Sequence, residues 1–472
     1  MTWALLSVWD KRGIADLAKA LVASGYSLVS SGGTGKALAD AGIAFTEVSR
    51  YTGAPEMMDG RVKTLHPRIH GGLLGRPGID DTVMKEQSIE PIGVLVANLY
   101  PFEEMAQRGL PLGDLIEFID VGGPAMIRAA AKNHRSVAVI VDPDDYGMAA
   151  AAVVDGGFSP EQRLELAKKA FARTAAYDAA ISNYLNALGR TFPTVLTLQF
   201  QNGRDLRYGE NPHQQAAIYG NRGIACARPF QGKQMSYNNY LDLNAAAGLL
   251  DEFDEDCAVV VKHNNPCGVA TGANILDAYV KARDVDPISA YGSVVALNRE
   301  VGIDTAQEIV RTYVEVVAAP SFTPDARTEC AKKENMRALV LPEISEGDGY
   351  RSIDGGLLVQ RTPPYQEHWL VVTERDPSAK ELAALRLAWR VCKHTRSNAI
   401  VFADAEKILG IGAGQMSRVD SAKIAVQKAR FPLKGAGVAS DAFLPFPDAL
   451  EEAAAAGATA LVQPGGSIRD AD

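Results

Sequence analysis

The sequence predicts an α/β protein of more than one domain, opening on a mainly parallel sheet. Short runs of Val, Ile and Leu of strand length recur between longer stretches with helical period. Glycine-rich and polar islands follow several of those runs, as in open α/β sheets that bind ligands at their strand ends. A chain of 472 residues is also longer than one hydrophobic core ordinarily supports.

Taken in order, Ala4 to Trp9 reads as a strand. Ile14, Leu17, Ala18, Leu21 and Val22 then share a helical face that ends at Gly25, and Ser27 to Ser30 starts the next strand. Buried runs follow at Ile92 to Ala97, Val137 to Val141, Ala258 to Val261, Ser293 to Leu297, Val314 to Ala318 and Ala399 to Phe402. A long helical stretch from Pro160 to Leu188 gives way to TFPTVLTLQF and the polar turn QNGRD, which places a domain boundary between residues 190 and 200. The expected domains are therefore 1–190 and 200–472. Within the second, Lys262-His263 and Lys393-His394 both end apolar stretches, a weak sign of internal duplication.

Composition narrows the function. Apolar residues make up 47% and charged residues 22%, as in ordinary globular proteins rather than disordered or fibrous ones. A net charge of -9 gives no electrostatic pull toward nucleic acid. No apolar stretch approaches a membrane span, and Asp10, Lys11 and Arg12 interrupt the N-terminus where a signal peptide would still be apolar. The five cysteines lack metal-ligand spacing and fit reduced thiols in a cytoplasmic protein, so no metal is expected.

Four islands in the first part point to an anionic ligand. SSGGTGKAL follows a strand and opens a helix, so it is either a glycine-rich turn or a loop whose glycines point backbone N–H groups at a phosphate near the positive helix end. RVKTLHPRIHGG carries Arg61, Lys63, Thr64, His66, Arg68 and His70, with no carboxylate between Asp59 and Asp80. In an acidic chain, that is an anion pocket or a solvated basic loop. VANLYPF places Asn98 and Tyr100 after a strand, and IDVGGPAMIRAAAKNH supplies Asp120 and Lys132.

In the second part, Lys262-His263 follows AVVV and precedes the NNPCG turn, with no carboxylate between Asp256 and Asp277. An imidazole beside an ammonium can deprotonate a poor nucleophile and neutralise a tetrahedral oxyanion.

The first set of islands, together with SVWDK, resembles the inosine monophosphate (IMP) cyclohydrolase domain of the bifunctional purine biosynthesis enzymes, which has a methylglyoxal-synthase-like, doubly wound fold. That resemblance implies that Ser31 to Thr34 hold the nucleotide phosphate. It places Lys11, Arg61, Lys63, Thr64, Asn98 and Asp120 around the base, and makes Lys132 a proton donor or acceptor. Trp9 stands where many relatives carry Ser. The islands LRYGENPHQ, DPISAYG, EVVAAPSF, CKHTRSNAIV, GIGAGQMSRVDSA, SDAFLPFPD and QPGGSIRD resemble the 5-aminoimidazole-4-carboxamide ribonucleotide (AICAR) transformylase domain of the same family. This domain is built of cytidine-deaminase-like α/β repeats. By that likeness Lys262 and His263 are the catalytic pair, and Arg207, Tyr208, Gly292, Glu315, Asn398, Arg418 and Phe443 surround the nucleotide. Val419, Asp448, Ser467 and Ile468 lie near the folate, and Glu315 replaces an Asp of relatives.

The family chemistry so implied is formyl transfer from 10-formyltetrahydrofolate, a cosubstrate, to AICAR, followed by ring closure to IMP in a cytoplasmic homodimer whose transformylase sites use both subunits. Relatives continue past SIRD through a last helix and strand carrying an Arg expected at the substrate, whereas this chain ends at Asp472. Two rival readings stand beside this one: a nucleotide-binding sensor with only the first site active, and a zinc deaminase, which lacks its HxE and PCxxC signatures here.

Overall fold

A computed structural model describes residues 2–58, 60–344, 347–361, 367–468 and 470. The chain divides into two compact units, 1–199 and 200–472.

The first unit is a five-stranded, wholly parallel sheet in the order β3-β2-β1-β4-β5: β1 Thr2–Ser7, β2 Tyr26–Ser30, β3 Thr46–Glu47, β4 Ile92–Ala97 and β5 Ala138–Ile140. Alternate strand residues feed two cores. Leu5, Val29, Leu95 and Val139 pack under the helices Pro67–Leu74, Gly122–Lys132 and Pro160–Ala187. Ala4, Leu6, Leu28, Val94 and Val96 pack under Ile14–Ala23 and Tyr146–Val154 on the other face. The sheet is thus doubly wound, and the order reverses between β1 and β4, where such folds open a crevice at the strands' C-terminal ends. The long helix starts as the sequence indicated, on Pro160 at its first position with a Ser159–Gln162 capping box. One predicted face residue, Val22, is exposed instead, because the buried stripe of its helix is narrower than the apolar pattern.

The second unit contains β6 Arg204–Asp205 paired with β7 Ala217–Ile218, then a mixed sheet in the order β10-β9-β11-β12-β13-β8. Its strands are β8 Pro229–Gln231, β9 Cys257–Lys262, β10 Asn265–Thr271, β11 Ser293–Leu297, β12 Val314–Ala319 and β13 Arg337–Val340. A hairpin of β14 Gly349–Ile353 and β15 Gly356–Gln360 stands apart. The last sheet, β17-β16-β18-β19, uses β16 Ile400–Ala403, β17 Ile408–Gly412, β18 Gly437–Ser440 and β19 Ala460–Val462. Each of the two larger sheets has an antiparallel hairpin, a second antiparallel neighbour and then a parallel strand. The sheets are therefore mixed rather than mainly parallel, since a short turn, two residues after β9 and four after β16, returns the chain beside itself where no crossover helix intervenes.

The two sheets repeat one topology, with a helix before and after each hairpin: Tyr237–Leu250 and Ile275–Val285 in the first, Ala379–Lys393 and Arg418–Lys428 in the second. The topology repeats, but the paired Lys-His dipeptides do not mark the repeat. Lys262 ends a strand, while Lys393 ends a helix and His394 caps it. The repeat is compatible with the cytidine-deaminase-like expectation.

Candidate active sites

In the first unit, loops after β1, β2 and β4 surround a cavity of about 550 Å³ at the switch point. Ser31, Gly33, Thr34, Lys11, Arg61, Lys63, Thr64, Asn98, Tyr100 and Asp120 all line it. The helix Gly32–Asp40 opens without a side-chain cap from Ser31, and Ser31, Gly33 and Thr34 at its start line the cavity. Gly32 is left-handed at φ 56°, and a side chain added there would meet Lys63 Nζ at 3.5 Å. One added at Gly33 would lie 3.4 Å from Lys11 Nζ. Two ammonium groups therefore sit over a helix N-terminus, an arrangement that binds a phosphate.

Across the cavity, Asp120 accepts the Gly123 N–H at 2.8 Å, and Tyr177 accepts the Asp120 N–H while donating to Phe118 O. Burial pushes the Asp120 carboxyl above the usual carboxylate range, against the Gly123 hydrogen bond and the Lys63 charge. Burial, Asp120 and Glu56 together raise the Tyr100 phenol. Trp9, edge-on to Tyr100 with ring centroids 5.3 Å apart, closes one wall of the cavity with an indole.

Two expectations change here. The Asn98 amide accepts the N–H groups of Trp9 and Asp10 and donates to Asp10 O, so it shapes the wall and has little left for a base. Lys132 is exposed at the last turn of the helix whose first residues, Gly122 and Gly123, line the cavity. At 1.5 Å per residue it lies roughly 15 Å along the axis. Lys132 therefore does not line this cavity. Sequence reasoning missed Glu117, which lines the cavity and pairs with Arg61, because a single exposed carboxylate carries no pattern. His66 caps the helix Pro67–Leu74 by accepting the Arg68 N–H, and burial lowers the His70 pKa.

In the second unit, β9 ends on the sheet edge where β11, β12 and β13 begin, because Val261 pairs with Val294, Val294 with Val316, and Val316 with Arg337. That register gathers Lys262, Gly292 and Glu315. Lys262 Nζ donates to Tyr291 O at 2.6 Å, and Tyr291 packs on Tyr313 with centroids 5.0 Å apart. Glu315 accepts from Asn239 Nδ2 at 2.9 Å and lies 3.9 Å from the Arg337 guanidinium, which is buried. His263 is exposed in the two-residue turn between β9 and β10.

Asn265 ties this edge to the second sheet: its Oδ1 accepts the Arg396 N–H at 3.1 Å. Beyond Arg396, Asn398 donates to Gln415 O, and Arg418 reaches Ser440 Oγ and Asp441 Oδ1, both at 3.3 Å. Phe443 is exposed just past that pair. Its loop is joined to the QPGGSIRD segment, since Gln463 Oε1 accepts the Leu444 N–H. Arg207 is exposed over the ring of Tyr208. The folate candidates converge less. Val419 packs into the last core, Asp448 is exposed at the start of its helix, and Ile468 is fully exposed beside Ser467. Arg469 of that island lies outside the described residues. Asn239, Asp242, Tyr291, Tyr313 and Arg337 were missed, although polar residues on the apolar face of Tyr237–Leu250 were a signal.

Phosphate-cradling loops on a doubly wound sheet, joined to a second unit with a Lys-His strand end, define a two-site α/β enzyme acting on anionic ligands. The family model described as AICARFT/IMPCHase bienzyme matches residues 130–428, and an MGS-like domain model matches 13–125. The bifunctional purine biosynthesis protein PurH of Myxococcus xanthus is 50% identical over 99% of this chain and 95% of its own. The chain belongs to the AICARFT/IMPCHase bienzyme family. A solved chain titled "Crystal structure of ForH" is 38% identical over 38% of this chain and 96% of its own, with a TM-score of 0.34.

Proposed function

We propose that this enzyme carries out the last two steps of IMP synthesis: formyl transfer from 10-formyltetrahydrofolate to AICAR in the second unit, then dehydrative ring closure in the first. The observation that carries the reading is the convergence of Lys11 and Lys63 on the glycine loop, opposite Asp120, in one cavity.

For the closure, the loop Ser31–Thr34 and Lys11 hold the nucleotide phosphate. Lys63, Arg61, Thr64 and Tyr100 face the base. The carboxamide nitrogen attacks the formyl carbon of the same molecule, and the tetrahedral adduct loses water. Both reacting groups are tethered, so an attack-ready pose supplies much of the rate. Lys63 stabilises the developing oxyanion, and Asp120, its carboxyl raised by burial, orients the amide and exchanges its proton.

For the transfer, the AICAR amine attacks the formyl carbon, and the tetrahedral adduct expels N10 of tetrahydrofolate, which takes up a proton. His263 removes the amine proton and Lys262 neutralises the adduct. Gly292, Glu315, Asn398, Arg418 and Phe443 bound the nucleotide, with Val419, Asp448, Ser467 and Ile468 on the folate side. The exposed Arg207 and the half-buried Tyr208 beneath it fit a site completed by a second subunit. So does the β14–β15 hairpin, which exposes Tyr350, Ile353, Leu357 and Leu358. A cytoplasmic homodimer without a tightly bound cofactor follows from this reading.

The test supplies AICAR and 10-formyltetrahydrofolate and follows tetrahydrofolate release and IMP formation together. Both should appear. IMP from the formylated intermediate alone would leave only the first site working, and binding of IMP with neither reaction would make the protein a sensor.

A further inference from the structure

His263 and Asn264 form the whole connection between β9 and β10, and both are left-handed, with φ 51° and 60°. A two-residue hairpin with two positive φ values suits Asn-Gly or Asp-Gly best. Asn264 tolerates that conformation, but a histidine seldom adopts it unaided. Something outside the turn has to hold it there.

We infer that Asp242 is the positioning residue for His263, an inference that rests on the transformylase reading above. Asp242 lies in the helix Tyr237–Leu250, and its carboxylate accepts both turn N–H groups, Asn264 at 2.6 Å and His263 at 3.2 Å. Two successive N–H groups of left-handed residues form a small cradle for negative charge, and Asp242 fills it from below. The carboxylate thus fixes the backbone from which the imidazole projects and the end of the strand that carries Lys262. The same helix holds Glu315 through Asn239, three residues earlier and so on the same face. One rigid element therefore sets the substrate-facing carboxylate and the catalytic turn together. Burial raises the Asp242 carboxyl, with the two turn N–H groups and His263 opposing. Its oxygens are occupied by backbone, which suits a positioning role and not proton transfer.

The test uses the full-length enzyme and measures both reactions. Asp242→Ala should lower kcat for formyl transfer about 10- to 100-fold, the scale of a misplaced catalytic group, with the AICAR KM within about threefold. Cyclisation of the formylated intermediate, at the other site, should stay at the wild-type rate and reports an intact chain. The conservative variant Asp242→Asn keeps one acceptor oxygen for the Asn264 N–H, the shorter of the two bonds, and should retain a clear part of the kcat that Asp242→Ala loses. An Asp242→Ala kcat within twofold of wild type would overturn the assignment. So would an Asp242→Asn kcat as low as that of Asp242→Ala, because the carboxylate's charge, and not its hold on the turn, would then account for the loss. A wild-type enzyme without formyl transfer would instead refute the underlying function.

Discussion

The Thr34 hydroxyl accepts the Val8 N–H at 2.9 Å and donates to Val8 O at 3.0 Å, so the glycine loop after β2 and the loop after β1 are joined through one buried side chain. Thr34→Val keeps the volume and removes both bonds, stranding two buried backbone groups at a cost of about 1–3 kcal/mol. Urea unfolding of the first unit should show that loss, and the KM for cyclisation should rise. Unchanged stability would mean that the two loops are held by other contacts.

Lys63 and Lys132 should separate cleanly. Lys63→Ala removes an oxyanion-stabilising cation and should cut cyclisation kcat by about 10²–10³-fold. Lys132→Ala, at the exposed far end of its helix, should stay within about twofold, the ordinary range of a surface change. A large loss at Lys132 would overturn the geometry described here.

Asp120 has a folded pKa above its unfolded value, so its protonated form favours the fold. That contribution is present at acid pH below the unfolded value and is lost as pH rises through the folded one. Asp120→Asn should therefore raise the Tm at neutral pH, keep the Gly123 hydrogen bond and sharply reduce cyclisation. A lower Tm at neutral pH would contradict the burial argument.

Glu252 behaves in the opposite sense. Burial works against its ionisation, but hydrogen bonds from His394 and Lys393, at 2.9 and 2.6 Å, outweigh it and hold the pKa at about 2. The stability it adds is present above the ordinary glutamate pKa and fades as pH falls from there toward about 2. Glu252→Gln should lower stability at pH 7 by about 1–3 kcal/mol and flatten the acid limb of the stability curve, with neither activity's pH optimum moved. An unchanged acid limb would show that the contact contributes nothing.

The sequence alone determined the α/β class, most strand positions and the islands that build both sites, because period and glycine placement are local physical signals. SSGGTGKAL could be read as an anion loop from backbone freedom and helix polarity, and Lys262-His263 as a base beside a cation from their chemistry. Only the tertiary structure decided which side chains face inward. A helix carries Lys132 away from Gly122, Asn98 spends its amide on the neighbouring loop, and the sheet register sets Glu315 at the same end of the sheet as Lys262, two strands over. The sequence left Asp242 unmarked because its partners are backbone N–H groups from another element. Such bonds depend on how a helix packs against a hairpin, and no spacing along the chain encodes that.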